Sequence, residues 1–225
     1  MFDNEYFEIG DAVQRVEQFE LLRQAIDEID ERLLGEITRE VWRAASSHSW
    51  KCGYETDPLT RWWFAPLEWR RTPESSNCQY DFEIYFYLTF SGDPCSGEYP
   101  STTSLLGHMA GVNGSSLVVR CHVYRLLTKD WVGLLSNRLD IIDPLIAAGW
   151  IFGPSTGYLE YPLSFKSSLL SDEISACSIT ESLAPIRLAI DQIRATQTIL
   201  FEPIFEAAMQ ILASRKTLKQ LGAVT

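Results

Sequence analysis

The sequence lacks the cysteine spacing of a zinc site or of a disulfide framework. Its five cysteines are an odd number without a CxxC pair, whereas structural zinc sites usually place paired ligands two to four residues apart. Unpaired thiols are typical of proteins in a reducing compartment. We therefore predict reduced cysteines, no bound metal and no cofactor.

The sequence also lacks the features of a secretory leader and of a membrane-spanning segment. The first ten residues contain Asp3, Glu5 and Glu8, whereas a leader begins with a basic stretch followed by an apolar one. The longest apolar run, over about 145–152, is far shorter than the roughly 20 residues that cross a bilayer. The sequence thus predicts a cytoplasmic protein that does not bind membranes.

Positive charge is scarce and unevenly placed. The formal net charge is −11, and residues 1–40 hold twelve Asp or Glu against four Arg. The tail that we predict over 214–225 is basic instead, since it carries Arg215, Lys216 and Lys219 and no acid. Direct binding to nucleic acid needs an extended cationic face. We therefore expect no direct nucleic-acid binding and favour a basic protein partner.

No complete catalytic motif is present. Gly153 to Gly157 matches G-x-S-x-G around Ser155, but the nucleophile elbow requires a strand followed by a helix. Here the strand-like segment 158–162 follows, which predicts a hairpin turn instead. On this basis an enzyme is not excluded, but a non-enzymatic protein is favoured.

The overall composition is that of an ordinary folded protein, with 46% apolar and 22% charged residues. Length and composition favour one domain over 1–225. Apolar residues at spacings of three and four predict a long acidic helix over 11–45 and another over 182–213, each with a heptad-like stripe. The polar Gln197 and Pro203 should bend the second helix.

Between these helices, alternating apolar and polar residues predict strands over 80–90 and 116–126. On the first strand the alternation predicts that Phe82, Ile84, Phe86 and Leu88 are buried against a helix. A helix over 128–149, kinked at Pro144, is inserted before a hairpin around 153–157. A Ser-rich linker should follow it. The expected fold is α+β, with a mostly antiparallel sheet within 50–165 flanked by the two long helices.

The apolar stripe of the C-terminal helix is long enough that something must cover it. The N-terminal helix is one candidate, and a second copy of the chain is the other. The sequence therefore leaves a homodimer open as a possible assembly.

Polar residues on the two predicted strands form one candidate for chemistry. Asp81 and Glu83 on the first strand would lie beside Arg120 and His122 on the second if the strands are neighbours. Carboxylates and an imidazole can hold a divalent cation or transfer protons. The alternative function is therefore a metal-dependent hydrolase or nuclease that uses Asp81, Glu83 and His122 on an open sheet face. Ordinary cross-strand charge pairs would give the same pattern.

An aromatic and arginine-rich stretch is a second candidate. Its members are Arg61, Trp62, Trp63, Trp69 and Arg70. Trp and Arg are enriched where proteins bind partners or small ligands. Core packing of the rings, with Arg at the rim, explains the same residues and is favoured.

The acidic helix is the third candidate and carries the leading hypothesis. Its candidate contact residues are Glu17, Glu20, Asp27, Glu28 and Glu31. We predict a cytosolic inhibitor, immunity-type or adaptor protein that engages a basic partner through this surface. A solvated face that only maintains solubility is the alternative.

Overall fold

A computed structural model describes residues 9–55, 61–71, 78–91 and 104–220 of the chain, with side chains described from residue 15 to residue 215, Asn113 excepted. The fold is α+β, as the sequence predicts: an antiparallel sheet is flanked by a long N-terminal helix and a C-terminal helix. The segment 91–101 is rich in Gly, Pro, Ser and Asp, which predicts a loop, and residues 92–101 of it lie outside the described part of the chain.

Six strands form the sheet, in the spatial order β1-β2-β3-β4-β6-β5, with every neighbouring pair antiparallel. The hairpin predicted around 153–157 is the β5–β6 connection, since Phe152 pairs with Leu159. The strands are β1 Lys51–Glu55, β2 Arg61–Ala65, β3 Ile84–Phe90, β4 Leu117–Val123, β5 Ile151–Gly153 and β6 Tyr158–Pro162.

The α-helices are α1 Ile9–Ser47, α2 Leu105–Met109, α3 Thr128–Asn137, α4 Leu139–Ala147, α5 Ser167–Ser175, α6 Ala184–Thr196 and α7 Glu202–Gln220. Within the described part of the chain, none of these helices combines the length and the apolar character that a membrane crossing requires.

One face of the sheet forms the main core. Ile84, Phe86 and Leu88 of β3 point into it and are fully buried, as the alternation predicts. The ring of Phe86 stands 4.9 Å from that of Phe201, edge to face, in the helical layer opposite. Because every second residue of a strand faces the same side, a single register places this whole row in the core.

Helix α1 packs on the core with the C-terminal part of its stripe. Leu33, Ile37 and Val41 are completely buried. Polar contacts hold the same part of the helix: Thr38 accepts a hydrogen bond from Nε1 of Trp62 at 2.9 Å. The side chain of Glu40, itself buried, accepts one from Arg187 of α6 at 3.1 Å.

The predicted C-terminal helix is present and is interrupted where Gln197 and Pro203 break its stripe. Residues Gln197–Phe201 form a π-helix between α6 and α7, a form found mainly as short irregularities within helices. Gln197 is buried there and donates to Glu68 at 2.7 Å. Helix α7 continues to Gln220, so most of the predicted tail over 214–225 is helical, and residues 221–225 lie outside the described part.

The strand predicted over 80–90 begins later than the alternation indicates. Residues Gln79–Asp81 form a 3₁₀ turn, and Phe82 makes an isolated bridge to Arg70 before β3 starts. Phe82 is buried, but on the opposite face of the sheet, against Trp63 and Tyr85. The prediction that Phe82 continues the core row of β3 is therefore wrong.

Two helical predictions also need correction. The helix expected over 128–149 is divided into α3 and α4 at Arg138, whose φ of −117° and ψ of 75° leave the helical region, while Pro144 lies inside α4. The expected Ser-rich linker contains α5. Its Glu173 accepts backbone hydrogen bonds from residues 180–182, including Glu181 at 2.8 Å, so this carboxylate holds the start of the last helical region.

Candidate functional site

The N-terminal part of α1 extends away from the core. Residues 15–31, here called the arm, include no buried residue, and from residue 15 onward the first buried position of α1 is Leu33. At 1.5 Å per residue the arm is about 25 Å long. The arm is thus mostly exposed, and only Ile26, Ile29 and Asp30 are partly buried.

An apolar stripe runs along the arm. Phe19 is 69% exposed and Leu22 is 57% exposed, and Ile26 and Ile29 continue the stripe toward the core. The same spacing leads on to Leu33, which is buried in the core. One apolar stripe therefore runs along α1: its C-terminal part packs on the core, and its continuation on the arm is exposed to solvent.

The acidic residues occupy the other side of the arm. At about 100° per residue, the five carboxylates predicted as contacts fall within a sector of about 100°, roughly opposite the apolar stripe. Arg23 pairs with Glu20 at 3.1 Å and with Asp27 at 3.2 Å, and exposed pairs of this kind contribute little to stability. All five are exposed: Glu17, Glu20, Asp27, Glu28 and Glu31.

Asp30 fixes the base of the arm. Its carboxylate accepts hydrogen bonds from the backbone N–H groups of Leu105 at 3.0 Å and Leu106 at 2.8 Å, and from the hydroxyl of Ser104 at 3.1 Å. It thereby caps the N-terminus of α2. The direction in which the arm leaves the core is thus set by a polar contact as well as by packing.

The structure does not assemble the predicted carboxylate–imidazole group. Asp81 lies 3.7 Å from Arg70 and Glu83 lies 3.9 Å from Arg71, while the residue paired with His122 is Tyr85. In the described ranges, no group of three or more His, Cys, Asp or Glu side chains is placed to hold a metal ion. Burial raises the pKa of Glu83, and the nearby Arg71 and Arg125 oppose this shift.

Arg120 lies at the centre of the second sheet face, which the sequence led us to expect to be open. Only 4% of Arg120 is exposed. Its guanidinium forms an ion pair with Glu160 and lies 3.9 Å from the ring centre of Tyr158. It also hydrogen-bonds the hydroxyl of Tyr87. This face is therefore closed at its centre, and the prediction of an open face is wrong there.

The aromatic stretch is core rather than surface. Trp62, Trp63 and Trp69 are 0%, 4% and 3% exposed. The two arginines stand at the rim, with the Arg61 guanidinium 5.5 Å from the ring centre of Tyr87 and Arg70 near Asp81. These indoles are not available to a partner on the described surface, in agreement with the core interpretation.

Ser155 lies exposed in the β5–β6 turn. The N–H of Gly157 donates to the carbonyl of Gly153 at 2.7 Å across this turn, and β6 follows it. The strand-to-helix geometry of a nucleophile elbow is therefore not formed.

Beside that turn is a pocket of about 90 Å³, where the hairpin approaches the start of α3. It is lined by Tyr87, Cys121, His122, Val123, Leu126, Thr128, Trp131, Thr156, Gly157 and Tyr158. Sequence reasoning singled out only His122 among these as a site residue. The others come from β3, β4, β6, the turn and α3, and no local spacing connects them.

Burial, with a smaller effect from the positive charge of Arg61, lowers the pKa of His122 to about 4. Its imidazole is therefore neutral at physiological pH. Burial also raises the pKa of Tyr85 and, mainly by the same cause, of Tyr87. The groups around the pocket are thus held in their uncharged forms.

Comparisons of the chain with protein-family models, with curated proteins and with solved structures find no match.

Proposed function

We propose that this protein is a non-enzymatic protein-binding module, a cytosolic inhibitor, immunity-type or adaptor protein, that engages a basic partner through the arm. The observation that carries the proposal is that residues 15–31 leave the core with an apolar stripe and an acidic face both exposed. Exposed apolar residues in a continuous row are typical of interaction sites.

The two faces of the arm have different roles. Phe19 and Leu22 supply apolar area whose burial gives affinity, in the way that amphipathic helices bind to grooves. The acidic face attracts a basic partner over longer distances and so raises the association rate and the selectivity. Because the arm projects, a concave partner can contact both faces.

A second copy of this chain is a less suitable occupant. Each arm carries six Asp or Glu and two Arg, so two arms placed side by side would bring like charges together. The stripe of the C-terminal helix does not require a dimer either, since Ile190 and Ile193 are buried within the chain. Charge complementarity therefore favours a basic partner over a homodimer.

The proposal is tested by affinity capture from native cells with three forms of the protein: wild type, Phe19→Ser/Leu22→Ser, and the control Ile199→Ser. Ile199 is 73% exposed and lies in the π-helix, so it reports the effect of losing exposed apolar area elsewhere. We expect a stoichiometric basic protein that the wild type and the control retain and the arm variant loses.

Purified components then separate the two faces. Substituting Glu17 and Glu28 with Gln should slow association and weaken its salt dependence, whereas Phe19→Ser/Leu22→Ser should mainly speed dissociation. The matched control is Asp172→Asn with Glu206→Gln, both exposed outside the arm. A partner bound equally by all forms, or arm-dependent dimers of wild type in light scattering, would contradict the proposal.

A further inference from the structure

The pocket beside the β5–β6 turn is separate from the arm and plays no part in the proposed function. Its floor is formed by β4 and β6, and its rim by Thr128 at the start of α3 and Thr156 in the turn. These parts are distant in the sequence but meet at one end of the sheet. A preformed concave site with both apolar and polar lining is a typical place for a small ligand.

Flat aromatic rings make up much of the wall. Tyr87, Trp131 and Tyr158 line the pocket together with the imidazole of His122. The His122 ring lies 6.3 Å from that of Tyr87 in an edge-to-face arrangement and 5.0 Å from that of Tyr85. Aromatic walls bind planar rings by stacking or by edge-to-face contact.

Polar atoms occur at several points of this wall. A neutral imidazole offers one donor and one acceptor, and a Thr hydroxyl can serve as both. The Thr156 hydroxyl already accepts from the N–H of Tyr158 and donates to the carbonyl of Gly153, both at 3.2 Å. His122 and Thr128 are therefore the groups we assign to the polar edge of a ligand.

The charge balance excludes a strongly charged ligand. The ion pair of Arg120 with Glu160 beside the pocket is satisfied internally, and Arg120 also contacts the Tyr158 ring. His122, Tyr87 and Cys121 are held neutral by burial. A buried charge without a partner is costly, and no charged side chain lines the pocket.

We propose that this pocket binds a small uncharged molecule that combines one planar ring with a hydrogen-bonding edge. The ring lies among Tyr87, Trp131 and Tyr158, and the polar edge meets the imidazole of His122. The inference concerns binding only and requires no chemical step.

Three probes of similar size test the class of ligand. Benzamide has the planar ring and an uncharged polar edge, benzoate has the same shape with a negative charge, and cyclohexanecarboxamide keeps the amide without the planar ring. Binding is measured by NMR on the imidazole of His122, with His48 at the α1–α6 contact as an internal reference. Because the chain has seven tryptophans, the difference in emission between wild type and Trp131→Phe is the second, independent readout.

We expect benzamide to shift the His122 signal in a saturable manner and to leave His48 unchanged. Benzoate should bind about tenfold more weakly or not at all, because its charge would lose its hydration without gaining a partner. Cyclohexanecarboxamide should also bind more weakly, because it lacks the flat face that the aromatic walls contact.

A variant that fills the pocket locates the site. Thr128→Phe should abolish the benzamide shift, while Lys129→Phe, one exposed position further along α3, should preserve it. If Thr128→Phe does not fold, Leu126→Trp fills the same pocket from another direction. Absence of a saturable shift with every probe, equal binding of benzoate, or binding by Thr128→Phe as tight as by wild type would each overturn the inference.

Discussion

The carboxylate of Asp30 accepts a hydrogen bond from the backbone N–H of Leu106 at 2.8 Å, and this contact joins the base of the arm to α2. The two residues are far apart in the sequence. The N-cap of α2, Ser104, accepts the N–H of Gly107 with its own side chain. Asp30 of the other helix accepts the N–H groups of Leu105 and Leu106, which that cap leaves over.

Replacing Asp30 with Ala should release this cap. We expect a loss of about 1 kcal/mol in the free energy of unfolding, the usual cost of a lost N-terminal cap. Hydrogen exchange of the α2 amides should accelerate by more than that of β3. Asp27→Ala, an exposed arm position three residues away, is the control and should leave both measurements unchanged.

The burial of Phe86 in the core predicts a large loss of stability when its ring is removed. Phe86 is completely buried. Five aromatic rings surround it, those of Trp50, Phe64, Trp69, Trp150 and Phe201. Phe86→Ala should cost about 3–5 kcal/mol in denaturant unfolding because it leaves a cavity. Phe19→Ala on the exposed arm should change stability by less than about 0.5 kcal/mol. Equal effects would mean that one of the two placements is wrong.

The pKa of His122 predicts how stability depends on pH. A folded pKa of about 4 lies below the unfolded value of about 6.5, so the unfolded chain binds the proton more readily between these values. Stability should therefore rise as pH increases from 4 to 6.5 and level off above it. The contribution is on the order of 2–3 kcal/mol over this window.

His122→Gln should flatten that part of the pH profile, since it removes the titrating group and keeps a polar side chain. The measurement is the free energy of unfolding in urea at several pH values. Other groups titrate in the same range, so the difference between wild type and variant is the quantity to compare. An identical slope in both proteins would contradict the assigned environment of His122.

Periodicity in the sequence predicts the elements of this fold that have one apolar face. The stripe of α1 and the alternation of β3 and β4 each follow from residues close together in the chain. Helix α5 was missed because its serines are typical of loops, although Leu170 is buried and Ile174 packs against the core. No Gly or Pro marks the break at Arg138, whereas Pro144 lies inside α4 without ending that helix.

The candidate sites are harder to predict from the sequence, because exposure and pockets depend on tertiary contacts. The acidic residues of the arm are local and could be named in advance, but their exposure depends on where the core ends. The pocket depends on tertiary contacts between β4, β6 and α3, so Thr128 and Trp131 carry no local signal. Arg120 and His122, the polar positions of the strand predicted over 116–126, did point toward this face, where Glu160 of β6 lies beside Arg120.

The last prediction tests whether the C-terminal stripe is internal core or an interface between copies. Ile190 is fully buried, whereas Leu188 on the same helix is 62% exposed. Ile190→Glu places an unpaired charge in the core and should unfold the protein or leave it with little cooperative structure. Leu188→Glu should give a folded protein with nearly unchanged stability. Circular dichroism with light scattering distinguishes the outcomes: a well-folded Ile190→Glu monomer derived from a wild-type dimer would show that this stripe packs between chains and not within one.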